Sequence, residues 1–181
     1  MTRTQLEHLI RACGQIVSES ELIVIGSQSI LGAIPDPPLS MIMSMEADIY
    51  PSRHAEKADE IDGAIGEGST FHDTYGYYAQ GVGPETATLP SSWRTRLHPI
   101  ENLNTRGVRA LCLDPHDLAI AKYVAGREKD LDFNREMARH GFTRRELLLA
   151  LADELPVQDS VKVLVRARIL RDFPMDSTRP A

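Results

Sequence analysis

The chain has 181 residues, 42% of them hydrophobic and 25% charged, with a formal net charge of −6; these proportions exclude wholesale disorder and supply a core for one ordinary domain, with or without a helical appendix. No apolar stretch approaches the roughly 20 residues of a membrane span, Met1-Thr2-Arg3 leads into Glu7 and His8 without an apolar export core, and Cys13 and Cys112 are too few for a disulfide framework and lack zinc spacing. The expectation is a cytoplasmic protein with no membrane partner, and an isoelectric point near 5.5 argues against duplex-DNA binding.

In chain order, residues 4–17 carry Leu6, Leu9, Ile10 and Ile16 at helical spacing. Leu22 to Ile25 is a continuous apolar run ending at Gly26, the pattern of a buried strand, and Ser27-Gln28-Ser29 opens a short helix through Leu31. The prolines of Ile34 to Pro38 make a loop. Ser40 to Tyr50 alternates in part and stops at Pro51, which predicts a second strand. His54 to Ile65 is an amphipathic helix; Tyr75 to Val82, Arg94 to Ile100 and Val108 to Leu113 read as strands. Beyond residue 114 the pattern turns helical. Asp114-Pro115 starts a helix that runs to Gly126, a second covers 128–140, Thr143 to Glu146 has the form of a capping box before a third, and 157–171 makes a fourth. The predicted fold class is mixed α/β (α+β): a mixed sheet with flanking helices over 1–113, a helical region over 114–172 packed on it, and a frayed tail over 173–181.

Gly26-Ser27 stands at a strand-to-helix junction, where a missing side chain, a hydroxyl and free backbone N–H groups suit a phosphate; a plain helix cap has the same look. In Glu46-Ala47-Asp48, residues two apart on a strand share a face, about 7 Å apart at their α-carbons. Two such carboxylates repel and want a divalent cation such as Mg²⁺, unless they form only the solvated face of an edge strand. The first hundred residues have 6 basic and 13 acidic side chains, and the remainder 14 and 13. That asymmetry fits a carboxylate site meeting a polyanion, and equally two differently solvated surfaces.

Taken together, strand, Gly26-Ser27, short helix, loop, and a strand bearing Glu46 and Asp48 resemble the nucleotidyltransferase fold of the polymerase-beta superfamily. Asp117 to Lys122 and Gly126 to Leu131 resemble the downstream helices of its minimal members of the abortive-infection and toxin–antitoxin type, and the whole chain resembles an uncharacterised bacterial nucleotidyltransferase-like branch. The resemblance implies that Gly26 and Ser27 hold a triphosphate, Glu46 and Asp48 hold the metal, Lys122 contacts the nucleotide and Asp130 closes the site. It further implies an NTP substrate, an RNA, protein or small-molecule acceptor, and a cognate antitoxin or other partner protein. Glu46 departs from the usual Asp, the prolines lengthen the connection to the acids, and Gln80 stands where a third carboxylate would be expected.

Lys122 and Asp130 support two readings: a structural ion pair between helices, or a lysine held for phosphate with no tight partner in the ligand-free protein. Arg127 and Lys129 flank the same turn, as phosphate contacts or as solvated helix-end charges. Tyr75-Gly76-Tyr77-Tyr78 with Trp93 could stack a base or simply pack the sheet. The leading expectation is an Mg²⁺-dependent nucleotidyltransferase; the alternative is a catalytically degenerate nucleotide-binding or protein-interaction module.

Overall fold

The computed structural model describes residues 1–174. The N-terminal unit comprises 1–87 and 93–114; the other comprises 88–92 together with the residues from 115 on.

In the N-terminal unit, α1 (Arg3–Val17) opens with a capping box: Thr2 accepts from Gln5 N–H and the Gln5 side chain accepts from Thr2 N–H. It is followed by β1 (Glu21–Ile25), a 3-10 turn (Ser27–Ser29), α2 (Ile30–Ala33) and β2 (Glu46–Pro51). Then come α3 (Ala58–Ile65), α4 (Thr70–Tyr75), β3 (Tyr78–Gly81), β4 (His98–Ile100) and β5 (Arg109–Cys112). The five strands form one mixed sheet in the order β3-β2-β1-β5-β4, with β1 antiparallel to β2 and parallel to β5.

Register assigns the two faces. Ile49 lies opposite Val24, and Val24 beside Cys112, so these apolar side chains share one face. A β-carbon at Gly32 would meet Cys112 Cβ, and one at Gly81 would meet the Ala58 carbonyl, so α2 and α3 cover that face. α1 packs beside α3. Glu46 and Asp48, one residue out of step, project from the other face together with Ile25.

Several sequence expectations need correcting. The strand expected over 40–50 begins only at Glu46; Leu39–Met41 is a 3-10 turn and Met43 and Met45 are exposed. β1 turns away at Gly26, so the residues before Asp48 lose their antiparallel partner. The strand expected from Tyr75 starts at Tyr78, because Ser69 caps a helix that ends in left-handed Gly76. Trp93–Thr95 is a 3-10 turn, so the strand expected from Arg94 begins only at His98.

The helical unit contains α5 (Pro115–Ala125), α6 (Glu128–Arg139), α7 (Arg145–Asp153) and α8 (Asp159–Asp172). Leu118, Tyr123, Met137, Leu148, Leu151, Val165 and Ile169 are buried in it. Thr143 is not the cap of α7: the N-cap is Arg144, without a side-chain bond, and Thr143 is buried. Residues 88–92 join this unit through Ser92, which donates from its backbone N–H and its hydroxyl to the Glu154 carboxylate. Of the tail expected over 173–181, residues from 175 on lie outside the described residues.

Candidate active site

β1 is an apolar run, and its end is set by backbone chemistry. Gly26 has φ 65° and ψ −172°, a region closed in practice to residues with a side chain. A β-carbon there would lie 1.8 Å from Asp48 Oδ2. The Asp48 carboxylate therefore rests against the bare α-carbon of Gly26, and the first group to use the missing side chain is an acid of the protein itself. The turn is closed by Ser29, whose hydroxyl and N–H both donate to the Gly26 carbonyl at 2.8 and 3.2 Å. Ser27 stays half-exposed. Gln28 is buried, and neither atom of its amide has a hydrogen-bond partner among the described residues.

Glu46 and Asp48 are both half-buried on the same face of β2. Beside them in parallel register stand Tyr78 and Gln80 on β3. The Tyr78 hydroxyl donates to Glu46 Oε2 at 3.2 Å. Its own ionisation is pushed up to about 12, first by burial and then by the negative charges of Glu46, Glu67 and Asp48. Gln80 pairs with Asp48 in register and donates from Nε2 to Asp62 Oδ1 at 2.7 Å. An amide thus occupies the strand position next to Asp48. Tyr78 is the site residue that sequence reasoning missed; a strand pairing of Glu46 with Tyr78 would have exposed it.

Among the described residues no three His, Cys, Asp or Glu side chains form a metal-holding group. Two carboxylates on one strand face are nevertheless a fitting donor set for Mg²⁺, which takes one or two protein carboxylates and completes its shell with phosphate and water.

In the helical unit, Lys122 Nζ donates to Asp130 Oδ1 at 3.0 Å, and Arg127 Nε donates to Asp130 Oδ2 at 2.6 Å. Burial alone would raise the Asp130 carboxyl; the hydrogen bonds and charges of Arg127 and Lys122 outweigh it and hold the group below the usual aspartate value. Lys122 also sits 4.5 Å from the centroid of the Phe133 ring. The expectation of a lysine without a tight partner is overturned: α5 and α6 are tied by a three-membered ion cluster. Lys129 is exposed. The structure thus brings Gly26, Ser27, Glu46 and Asp48 together in one unit, and Lys122, Arg127 and Asp130 together in the other.

Residues 4–159 match the family described as a nucleotidyltransferase of unknown function (DUF6036). Searches of curated proteins and of solved structures each gave no match. Among the described residues no helix is long and apolar enough to cross a membrane.

Proposed function

The chain belongs to this nucleotidyltransferase family, and from that premise we propose that Glu46 and Asp48 hold Mg²⁺ for transfer of a nucleoside monophosphate from an NTP to a hydroxyl or phosphate acceptor. The observation that carries this reading is the contact of the Asp48 carboxylate with the Gly26 α-carbon, which builds the turn and the acid strand as one piece. The acceptor oxygen bonds to the α-phosphorus, the bond from that phosphorus to the bridging oxygen breaks, pyrophosphate leaves and the acceptor's proton is released. Mg²⁺, when bound, neutralises charge developing on the phosphates and lowers the pKa of the acceptor hydroxyl. The half-exposed Ser27 hydroxyl donates to a phosphate oxygen, and Tyr78 orients Glu46 by its hydrogen bond. RNA or a protein side chain is the proposed acceptor, with a cognate antitoxin as the proposed partner.

A second reading rests on Gln80. An amide tied to Asp62, where a third carboxylate would be expected, suits a fold that binds nucleotide without turning it over.

Asp48→Asn tests the assignment. It removes one of two repelling charges, so the fold should be kept or slightly stabilised, while Mg²⁺-dependent nucleotide binding is lost. Retention of parental Mg–NTP affinity by isothermal titration would remove Asp48 from the metal site. Incubating the purified chain with Mg²⁺, labelled NTP and candidate acceptors separates the two readings. Label transfer establishes turnover, and binding without transfer establishes the degenerate module.

A further inference from the structure

The tyrosine-rich segment splits three ways. Tyr78 turns to Glu46, Trp93 lies 4.5 Å beneath the Arg94 guanidinium, and Tyr75 and Tyr77 join residues distant in sequence. The Tyr75 ring meets the His8 imidazole edge-on at 4.8 Å and Phe71 at 4.7 Å, and His8 lies 5.2 Å from Phe71. Helices α1 and α4 thus contribute to one aromatic cluster, and Tyr75 leaves half of its surface, 50%, in solvent.

His8 and Tyr77 of this cluster, though not Tyr75 itself, line a cleft of about 280 Å³ together with Thr4, Gln5, Arg11 and Asn104. None of the six is acidic, although the first hundred residues hold 13 acids against 6 bases. The nearby carboxylate of Glu7 is buried and engaged by Arg3, Asn102 and Asn104. Arg11 spends one N–H on a long 3.4 Å bond to the Asn104 carbonyl, which leaves most of its guanidinium donors for a ligand. His8 Nδ1 and the Tyr77 hydroxyl are 2.8 Å apart, which fixes the imidazole in place. Burial, and then the Arg11 charge, lower the His8 pKa, so the ring is neutral at neutral pH and offers a face rather than a charge.

A half-exposed aromatic ring, one guanidinium and several hydroxyl and amide groups recognise a planar heterocycle that carries a phosphate. The volume, near the lower limit of about 300 Å³ for ligand pockets, suits a single nucleotide. His8 and Arg11 of the cleft belong to α1, which packs beside α3 on the helix-covered side of the sheet, whereas Glu46 and Asp48 project from the opposite face. We propose that this cleft binds one unpaired nucleotide, its phosphate on Arg11 and its base passing the His8 face at the cleft to reach the adjoining Tyr75 ring, separately from the carboxylate site. The inference does not depend on what Glu46 and Asp48 do.

Free mononucleotides and a nucleotide within single-stranded RNA share this chemistry, and titration of the full chain distinguishes them. AMP and an eight-nucleotide single-stranded RNA are each titrated in EDTA, which silences metal-dependent binding. Binding is expected to persist in EDTA and to weaken about tenfold in Tyr75→Ala, the scale of one lost base–aromatic stack, and similarly in Arg11→Gln. Melting temperatures should hold, because Tyr75 is half-exposed, and Asp48→Asn should bind like the parent. RNA binding with no AMP binding assigns the cleft to an RNA segment, and full competition by AMP assigns it to the free nucleotide. The proposal is overturned if neither probe binds in EDTA, if both variants bind as the parent does, or if Asp48→Asn loses binding in proportion. Ribose 5-phosphate competing as well as AMP would also overturn it, since the base would then go unread.

Discussion

Asp130 and Gln28 are both about 1% exposed, yet they are treated in opposite ways. In the helical unit, Asp130 is closed off by Lys122 and Arg127, and every charge in the cluster has an answer within a few ångströms. In the sheet unit, Gln28 has an amide with no partner among the described residues, two positions from a glycine in a conformation that other residues avoid and beside a strand with two carboxylates on one face. The first arrangement satisfies the fold. The second keeps an unsatisfied amide next to a turn that only glycine tolerates and against a strand with two carboxylates on one face, an arrangement that does not serve stability.

The contrast can be broken at its strongest point by Asp130→Ala. This substitution removes the carboxylate that Lys122 and Arg127 both bond, and the loss of stability should approach about 3 kcal/mol, the lower end for a disrupted buried pair. Urea unfolding measures it directly. The same cluster gives the parent an acid-sensitive term: because folding lowers the Asp130 pKa, its contribution is complete above the usual value of 3.8 and disappears as pH falls through the folded value. Asp130→Asn should flatten that acid limb of the stability profile. An unchanged limb would show that the cluster does little for the fold.

Gly26→Ala comes next. The left-handed conformation costs about 1–3 kcal/mol for a residue with a β-carbon, and the new methyl would displace the Asp48 carboxylate. Both the melting temperature and Mg–NTP affinity should fall, and a variant that keeps its affinity would separate the turn from the acid.

Gln28→Met should act in the opposite direction. Removing an unsatisfied buried amide while preserving bulk is expected to stabilise the chain by about 1 kcal/mol. A clear loss of stability on thermal unfolding would mean that the amide is satisfied in solution and that the contrast with Asp130 is overstated.

Arg127→Ala should have the smallest effect. The arginine side chain is 64% exposed, so solvent screens its pairing, and the cost should stay within about 1 kcal/mol. Comparing its unfolding midpoint with that of Lys122→Met shows which cation carries the cluster; Lys122, only 12% exposed, should matter more.

Much of this was readable without coordinates, and the misses share a cause. The buried run Leu22–Ile25, the proline-started α5 and the glycine-ended α6 follow from local signals, and each forms close to its expected limits. Strand lengths do not follow from local signals. Ser40–Met45 has suitable residues but forms no ladder with β1, which has already turned away at Gly26; the Ile42 and Ser44 carbonyls accept from the N-terminal amine, and the Met45 carbonyl from Tyr78 N–H. The same holds at the site. The spacing of Glu46 and Asp48 put both acids on one face, but their contacts depend on register, which joins Tyr78 to Glu46 and Gln80 to Asp48. The Lys122–Asp130 pair stood as one of two options because the bend at Gly126, φ 65°, decides whether residues eight apart can meet.

One consequence of the Gly26–Asp48 contact concerns the proline-rich connection between them. The turn and the acid are gauged against each other by an α-carbon touching a carboxylate and by four rungs of antiparallel ladder, Leu22 to Ile25 against Pro51 to Asp48. Nothing in that gauge passes through residues 34–45. The long route from Ser27 to Glu46, which looked like a departure from its family's spacing, is anchored separately, by the N-terminal amine donating to the Ile42 and Ser44 carbonyls and by buried Met41, so its length can differ without resetting the joint between turn and acid.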